Sequence, residues 1–327
     1  MRSGIFAVAA ATATAAFSTP LYTPTPAGDV LSHCVREVPH MAHAEEQPDG
    51  STRLTLEDGS SSSIPKCDTT VDGVTYPVLR RRGAAAAAAH NATTGAAANA
   101  VSDPQPNPLP ADYDGWLQYT AFEDAQGFDS FVGEMSVPDV PAANPQILYL
   151  FPGVQNIDWI PKVDPEPTQA TPFDILQPVL QFPGSGFKKS WAVKSWYVTV
   201  NAGALYSSPI NVASGDAILC NMTRTGPTSW FVGSKVKSSG KETNQRATNA
   251  RLAKQPWAYN TLECYGCRGC ATYPKNPVTF TDLKLFKGGA DVTSEVKWLV
   301  NPKPQADQKC KEATTVNSAS DVAISFQ

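Results

Sequence analysis

The chain has 327 residues, with 26 lysines and arginines against 30 aspartates and glutamates, which gives a formal net charge of −4 at pH 7. This near balance predicts no basic surface for nucleic acid and no net attraction to anionic membranes. Beyond the first twenty positions no stretch of about 18 apolar residues occurs, so no transmembrane helix is predicted. The length allows one large domain or two smaller ones, and we expect a monomer.

The first zone, residues 1–16, has the pattern of a secretory signal peptide. Arg2 precedes a short alanine-rich apolar run, and small residues suited to signal peptidase follow it. The chain also has seven cysteines and two N-glycosylation sequons, at Asn91 and Asn221, which agree with export. We therefore predict a secreted, extracellular protein.

The second zone, residues 17–82, is predicted to be a pro-region that is removed or lies apart from the rest of the chain. It contains Cys34 and Cys67, which form the expected disulfide pair in an oxidising compartment. A basic triplet ends the zone, and it indicates either cleavage by a processing endoprotease or a solvated charge cluster. This triplet is Arg80, Arg81 and Arg82.

The third zone, residues 83–112, begins with an alanine tract and ends rich in proline. It has few large apolar side chains. Because a chain of this composition cannot build a compact core, we predict a low-complexity linker.

The last zone, residues 113–327, has the pattern of an all-β domain. Short runs rich in valine, isoleucine and aromatic residues alternate with clusters of glycine, proline, asparagine, aspartate and serine. Prolines fall at the ends of these runs, where a β-ladder needs no donor. We predict a sandwich of two antiparallel sheets.

Histidine chemistry is excluded from this domain, because the four histidines of the chain all lie at or before position 90. Ser-His and Cys-His nucleophiles and histidine zinc sites therefore cannot form there. No P-loop or dinucleotide fingerprint occurs. We expect no cofactor and no metal.

Five cysteines lie in the same domain, three of them closely spaced. In a secreted chain, disulfides are favoured over a thiolate metal site, which would need a fourth soft ligand. At most two pairs can form, and the spacing does not show which cysteine is left over. The five are Cys220, Cys264, Cys267, Cys270 and Cys310.

Two strand-like runs each carry one polar side chain among apolar, β-branched or aromatic residues. Gln177 lies in the run 173–182, and Glu263 ends the run 257–263. A buried amide and a buried carboxyl are costly unless partnered. Hydrolysis is one explanation, in which Glu263 activates a water while the Gln177 amide donates to the developing oxyanion. The alternative is that both side chains face solvent on half-exposed strands.

Four stretches, in order, resemble the glutamic peptidases of fungi, the eqolisin family. They are the strand 133–138 ending in Val-Pro, the Ile-Leu-Gln of residues 175–177, the hairpin 210–218, and the strand 258–263 followed by 278–282. The resemblance covers about residues 116–286. It implies a concanavalin A-like β-sandwich.

The resemblance implies an acid endopeptidase with a polypeptide substrate and with Gln177 and Glu263 as the catalytic dyad. It also implies an acidic pH optimum and a propeptide. The side chains expected to bind the substrate are Phe151, Trp196, Tyr197 and Tyr259, although alternation lets only one of Trp196 and Tyr197 face the cleft.

The chain departs from the family pattern at three points. Residues 151–155 stand where the family has a Trp and an Asp, Ser195 stands where it has a glutamate, and Tyr259 stands where it often has a second glutamate. These differences remove acidic and aromatic groups from the cleft. They bear on activity more than on fold.

Two other functions fit the same sandwich. A non-catalytic carbohydrate-binding or extracellular structural protein would present aromatic platforms to glycans, with Trp191, Trp230 and Trp257 as candidates. A glycosidase needs a second carboxylate facing Glu263, and the sequence shows none on a facing strand.

Overall fold

The computed structural model describes residues 21–80, 115–144, 146–156, 173–184, 188–267, 269–300, 310 and 312–326. Their regular structure consists of β-strands and a few short 3-10 turns, which confirms the all-β prediction. Within these residues no helix has the length and apolar character that crossing a membrane requires. The predicted signal peptide, the linker, Arg81, Arg82 and Asn91 lie outside the described residues.

Nine short strands lie within residues 21–80. They are β1 (Tyr22–Thr25), β2 (Gly28–Leu31), β3 (Val35–Val38), β4 (Ala42–Glu46), β5 (Thr52–Thr55), β6 (Ser61–Ile64), β7 (Thr70–Val71), β8 (Val74–Thr75) and β9 (Leu79–Arg80).

The remaining described strands follow from residue 115. They are β10 (Gly115–Glu123), β11 (Ser130–Ser136), β12 (Ile147–Gln155), β13 (Asp174–Phe182), β14 (Trp191–Thr199), β15 (Gly203–Ser207), β16 (Ile210–Val212), β17 (Ala217–Gly226), β18 (Ser229–Val236), β19 (Glu242–Thr248), β20 (Trp257–Tyr265), β21 (Val278–Lys287), β22 (Ala290–Asp291), β23 (Leu299–Val300), β24 (Ala313–Ser318) and β25 (Asp321–Ser325).

Two large sheets form the sandwich. Sheet A has the strand order β23-β10-β20-β12-β13-β14-β15-β3, with β16 beside β14. Sheet B has the order β24-β25-β21-β11-β17-β18-β19-β4-β5-β6, with β22 beside β21. The described strand pairs within residues 115–326 are antiparallel, as predicted.

The main core lies between the two sheets, because alternate side chains of each strand point inward. Leu176 and Leu180 of sheet A meet Ile218 and Met222 of sheet B in one buried apolar cluster. A second apolar cluster lies on the other side of sheet A. We call the side of sheet A that is turned away from sheet B its outer face.

Residues 21–80, here called the N-terminal segment, are built into the sandwich. β3 pairs in parallel with β15 at the edge of sheet A, and β4 pairs in parallel with β19 in sheet B. β5 and β6 extend sheet B further. A third sheet, β1-β2-β9, packs on the outer face of sheet A. The segment therefore does not lie apart from the β-domain, whereas its removal stays a prediction.

Three disulfides join six of the seven cysteines. Cys34–Cys67 confirms the predicted pair and lies within the N-terminal segment. The other two bonds are Cys264–Cys267 and Cys270–Cys310. Cys220 is left as a buried thiol, and burial raises its pKa.

Candidate active site

Gln177 and Glu263 lie on the same face of sheet A. Their strands, β13 and β20, flank β12. Leu176 and Leu262 enter the core between the sheets, so the adjacent residues Gln177 and Glu263 point to the outer face. Both side chains are buried, with exposures of 0% and 1%.

The Gln177 amide has two partners from distant parts of the chain. Its Nε2 donates to the backbone oxygen of Pro26 at 2.6 Å, and its Oε1 accepts from the Tyr259 hydroxyl at 3.2 Å. Gly153 of β12 pairs with Tyr259, and the β12–β13 register puts Gln177 on the other side of Gly153. Gln177 and Tyr259 therefore face each other across one glycine.

Gly153 makes this contact possible because the Tyr259 ring passes directly over it. A Cβ at position 153 would lie 2.3 Å from a ring carbon and 2.4 Å from the hydroxyl oxygen. Burial raises the pKa of Tyr259 well above its usual value, so the hydroxyl keeps its proton and serves as a donor.

Glu263 lies on the same face of sheet A as Gln177, but at a different position along the strands. It pairs with Tyr149 of β12, which in turn pairs with Gln181 of β13. The Tyr265 hydroxyl donates to Glu263 Oε1 at 2.5 Å. Burial raises the pKa of the Tyr149 and Tyr265 hydroxyls well above the usual value, and the charges of Glu263 and Asp29 raise it further. The Glu263 carboxyl therefore lies among hydroxyls that stay protonated.

The strand register separates Gln177 from Glu263. Gln177 lies beside Gly153 of β12, and Glu263 lies beside Tyr149 of the same strand. These two β12 residues are four positions apart, which is about 13 Å at the usual rise per residue. Across the sheet Gln177 and Glu263 are two strand spacings apart, roughly 10 Å. The structure places the predicted dyad on one face but does not bring the two side chains together.

The N-terminal segment covers this part of the outer face with its own backbone. Three consecutive carbonyls meet polar side chains of sheet A. Pro24 O accepts from the Tyr149 hydroxyl at 2.9 Å, Thr25 O lies 3.2 Å from the Tyr265 hydroxyl, and Pro26 O accepts from Gln177. The end of β1 and the first residue of its turn into β2 thus contact sheet A near both Glu263 and Gln177.

Apolar side chains of the N-terminal segment complete the cover. Tyr22, Val30, Leu31 and Leu79 are buried in the cluster on the outer face of sheet A. Burying an aliphatic side chain of this size contributes about 1.5–3 kcal/mol relative to leaving it exposed. The cover is therefore a stable part of the fold.

An ion network fastens the same segment to the sandwich. The Arg251 guanidinium donates to both carboxylate oxygens of Glu46 at 2.9 and 2.6 Å, and its Nε donates to Asp174 Oδ2 at 2.7 Å. Asp174 is fully buried; burial raises its pKa, and the Arg251 charge opposes the rise. The sequence does not predict this network, because Glu46 and Arg251 are 205 residues apart.

The side chains predicted to bind substrate divide between the two faces of sheet A. Phe151, Trp196 and Tyr259 lie in the cluster on the outer face. Tyr197 instead points into the core between the sheets, where its hydroxyl donates to Asp174 at 2.6 Å. The expectation that Tyr197 lines the cleft is therefore corrected, since alternation turns it to the opposite side from Trp196.

The tryptophans considered as glycan platforms are not exposed. Trp191 and Trp230 belong to the core between the sheets, and Trp257 is 6% exposed on the covered outer face. Asn221, one of the two predicted glycosylation sites, alternates with core residues of β17 and is half-buried. Its modification stays a prediction.

No family model matches the chain, and no curated protein matches it. Among solved structures it is similar to scytalidoglutamic peptidase with a peptide-based transition state analogue, at 18% identity and a TM-score of 0.46, over 65% of this chain and 98% of that one. It is also similar to SCP-B, of the Eqolisin family, in complex with the tripeptide Ala-Ile-His, at 17% identity and a TM-score of 0.45, over 65% of this chain and 98% of that one. Aspergilloglutamic peptidase from Aspergillus niger also matches, at 17% identity and a TM-score of 0.37, over 55% of this chain and 99% of that one. The all-β fold is consistent with the resemblance.

Proposed function

We propose that the outer face of sheet A is a cleft for an extended polypeptide, and that the protein is a secreted acid endopeptidase of the glutamic class in a latent form. In this proposal the N-terminal segment holds the cleft closed. Cleavage after the triplet that begins at Arg80 would separate that segment from the rest of the chain.

One observation carries the proposal. The sheet already binds peptide backbone there, since three consecutive carbonyls, from Pro24 to Pro26 at the end of β1, meet side chains of its outer face. Backbone carbonyls are common to every peptide, so groups that bind them accept a substrate largely without regard to its side chains.

The chemistry proposed for the cleft uses a carboxylate and an amide. Glu263 takes a proton from a water that attacks the peptide carbonyl, and then passes that proton to the leaving amine. The Gln177 amide lies too far along the sheet to reach the oxyanion at the same carbonyl, so in this proposal it binds a backbone carbonyl of the substrate, as it binds Pro26 O. The acidic optimum follows from a glutamate that must both accept and give up a proton near its own pKa.

A second candidate function is binding of polypeptide without hydrolysis. It is favoured by the register, which sets Tyr259 rather than Glu263 opposite Gln177. A tyrosine hydroxyl that stays protonated cannot activate a water as a carboxylate does. The same cleft would then hold a peptide without cutting it.

The deciding experiment cuts the secreted chain after the basic triplet, removes residues 21–80 with acid, and incubates the remaining folded protein with denatured protein between pH 3 and 5. Glu263→Gln is tested beside Glu295→Gln, which removes an exposed carboxylate as a matched control. The peptidase proposal expects cleavage by the wild type and by the control, no cleavage by Glu263→Gln, and no effect of reagents that trap serine or cysteine.

Other results of this experiment separate the two candidates. Peptide binding without cleavage by the wild type supports the second candidate function. Absence of both cleavage and peptide binding, with a glycan array bound instead, rejects both and leaves the carbohydrate-binding alternative.

A further inference from the structure

Lys194 is a buried cation on the outer face of sheet A. It alternates on β14 with core residues, and its cross-strand neighbour on β13 is Val179. Only 8% of its surface is exposed. The ammonium lies 4.4 Å from the ring centroid of Tyr206 and 5.6 Å from that of Trp196, so the charge is held within an aromatic corner beside the cleft.

The positive charge of Lys194 is poorly compensated by the groups around it. Its Nζ donates to a neutral acceptor, Gln181 Oε1, at 3.0 Å, and no ion pair joins it to a carboxylate among the described residues. Burial lowers the pKa of Lys194 to about 8, which still leaves it charged at neutral and acid pH. A buried charge without a paired charge is costly.

The N-terminal segment supplies a carboxylate whose charge acts on Lys194. Glu37 of β3 pairs with Tyr206 of β15, and its negative charge opposes the fall that burial causes in the Lys194 pKa. Glu37 Oε1 also accepts from the Ser208 hydroxyl at 2.9 Å. Glu37 is exposed, so it compensates the lysine only in part, and it belongs to the segment that would leave the cleft.

We infer that Lys194 is a specificity residue that binds a carboxylate on the polypeptide in the cleft, the role that Glu37 fills in part while the N-terminal segment is seated. The inference rests on the proposed function of the outer face as a polypeptide cleft. It assigns a preference for an aspartate or glutamate side chain at the subsite formed by Lys194, Gln181, Trp196 and Tyr206. A charge-assisted bond to such a carboxylate would pair the lysine fully.

The test measures binding of fluorescent peptides to the secreted chain carrying Glu263→Gln, which prevents turnover. The chain is first cut after the basic triplet and freed of residues 21–80 by acid, so that the cleft is open. One peptide set moves a single glutamate along an otherwise neutral, C-terminally amidated sequence, and its partner set has glutamine instead. A third peptide has glutamine and a free C-terminal carboxylate, which distinguishes a side chain from a chain end. Lys194→Met, Lys194→Arg and the exposed control Lys235→Met are added to the same background.

At pH 6, where an ordinary glutamate is ionised, we expect one glutamate position to bind about 10- to 100-fold more tightly than its glutamine partner, as for a hydrogen bond between charged groups. Lys194→Met abolishes that preference, Lys194→Arg retains part of it, and Lys235→Met leaves it unchanged. At pH 3.5 the preference falls because the glutamate takes up a proton.

Contrary results are equally specific. Equal affinity for both peptide sets, or a glutamate preference that survives Lys194→Met, overturns this inference while leaving the cleft proposal intact. If only the peptide with a free C-terminal carboxylate binds more tightly, the inferred preference for an acidic side chain is wrong, and Lys194 binds a chain end instead. If no peptide binds to the folded protein, both proposals fail together.

Discussion

At the scale of single residues, the partner of Gln177 is set by a glycine. The Tyr259 ring can cross β12 only because position 153 has no Cβ. The hydroxyl then satisfies Gln177 Oε1, while Pro26 O satisfies the amide nitrogen. A buried amide with both of its ends bonded is a stable arrangement, whereas one left unpaired costs about 1–3 kcal/mol.

The first prediction concerns this crossing. Gly153→Ala should destabilise the protein by about 1–3 kcal/mol through overpacking, because the new methyl group meets the Tyr259 ring. In a Tyr259→Ala background the same substitution should cost much less, since the ring is gone. Urea unfolding of the two single variants and the double variant measures this coupling. Strictly additive effects would show that the ring does not cross Gly153.

The second prediction concerns the charge on Lys194. Its pKa is lowered from 10.5 to about 8 in the folded state, so between these values the folded protein binds fewer protons than the unfolded chain. Wild-type stability therefore rises with pH through that window. Lys194→Met should stabilise the protein at pH 7, by up to about 3 kcal/mol, and the gain should shrink towards pH 10.5.

Thermal and urea unfolding at pH 7 and pH 10 check this prediction, with Lys235→Met as the exposed control. A Lys194→Met protein that is less stable than the wild type at pH 7 would show that the lysine is well compensated where it lies. In that case the motive for assigning it a ligand would disappear.

At the scale of elements, the N-terminal segment is held by ions as well as by strands. Arg251 joins Glu46, at the end of β4, to Asp174, at the start of β13. Asp174 is fully buried and Glu46 is partly exposed, so the two carboxylates depend on the arginine to different degrees. A buried charge that loses its partner is far more costly than a partly solvated one.

The third prediction follows from that difference. Arg251→Met should lower the free energy of unfolding by about 3–5 kcal/mol, because it leaves the Asp174 charge buried and unpaired. Glu46→Gln should cost only about 1 kcal/mol, since water still reaches that end of the network. Denaturant unfolding at pH 7 compares the two variants. Equal losses of unfolding free energy would mean that Arg251 stabilises the protein only through its ion pair with Glu46 of the N-terminal segment.

Sequence patterns predicted the faces of these elements better than their register. The resemblance implies that Gln177 and Glu263 form one dyad, and both do lie on the outer face of sheet A, while alternation correctly separates Trp196 from Tyr197. The offset between Gln177 and Glu263 is set by how β13 and β20 pair with β12, over more than a hundred residues of chain, which no local pattern encodes. The cover escaped prediction for the same reason, because β3 and β4 pair with distant strands.

At the scale of the whole molecule, the N-terminal segment is both a cover and a structural part. It adds strands to both sheets and buries apolar side chains in both clusters. Opening the cleft therefore requires more than cutting the chain near Arg80, because the paired strands and the Arg251 network still hold the segment. Under the proposed function, latency would be a property of the assembled sandwich.

The most direct test of the central claim, that the outer face of sheet A binds extended polypeptide, uses the segment itself as the ligand. Protein cut after the basic triplet and freed of residues 21–80 by acid is titrated by calorimetry with a synthetic peptide of residues 21–33. We predict saturable binding, about tenfold weaker in Gln177→Ala because one buried hydrogen bond is lost. A folded protein that lacks the segment and does not bind this peptide would contradict it.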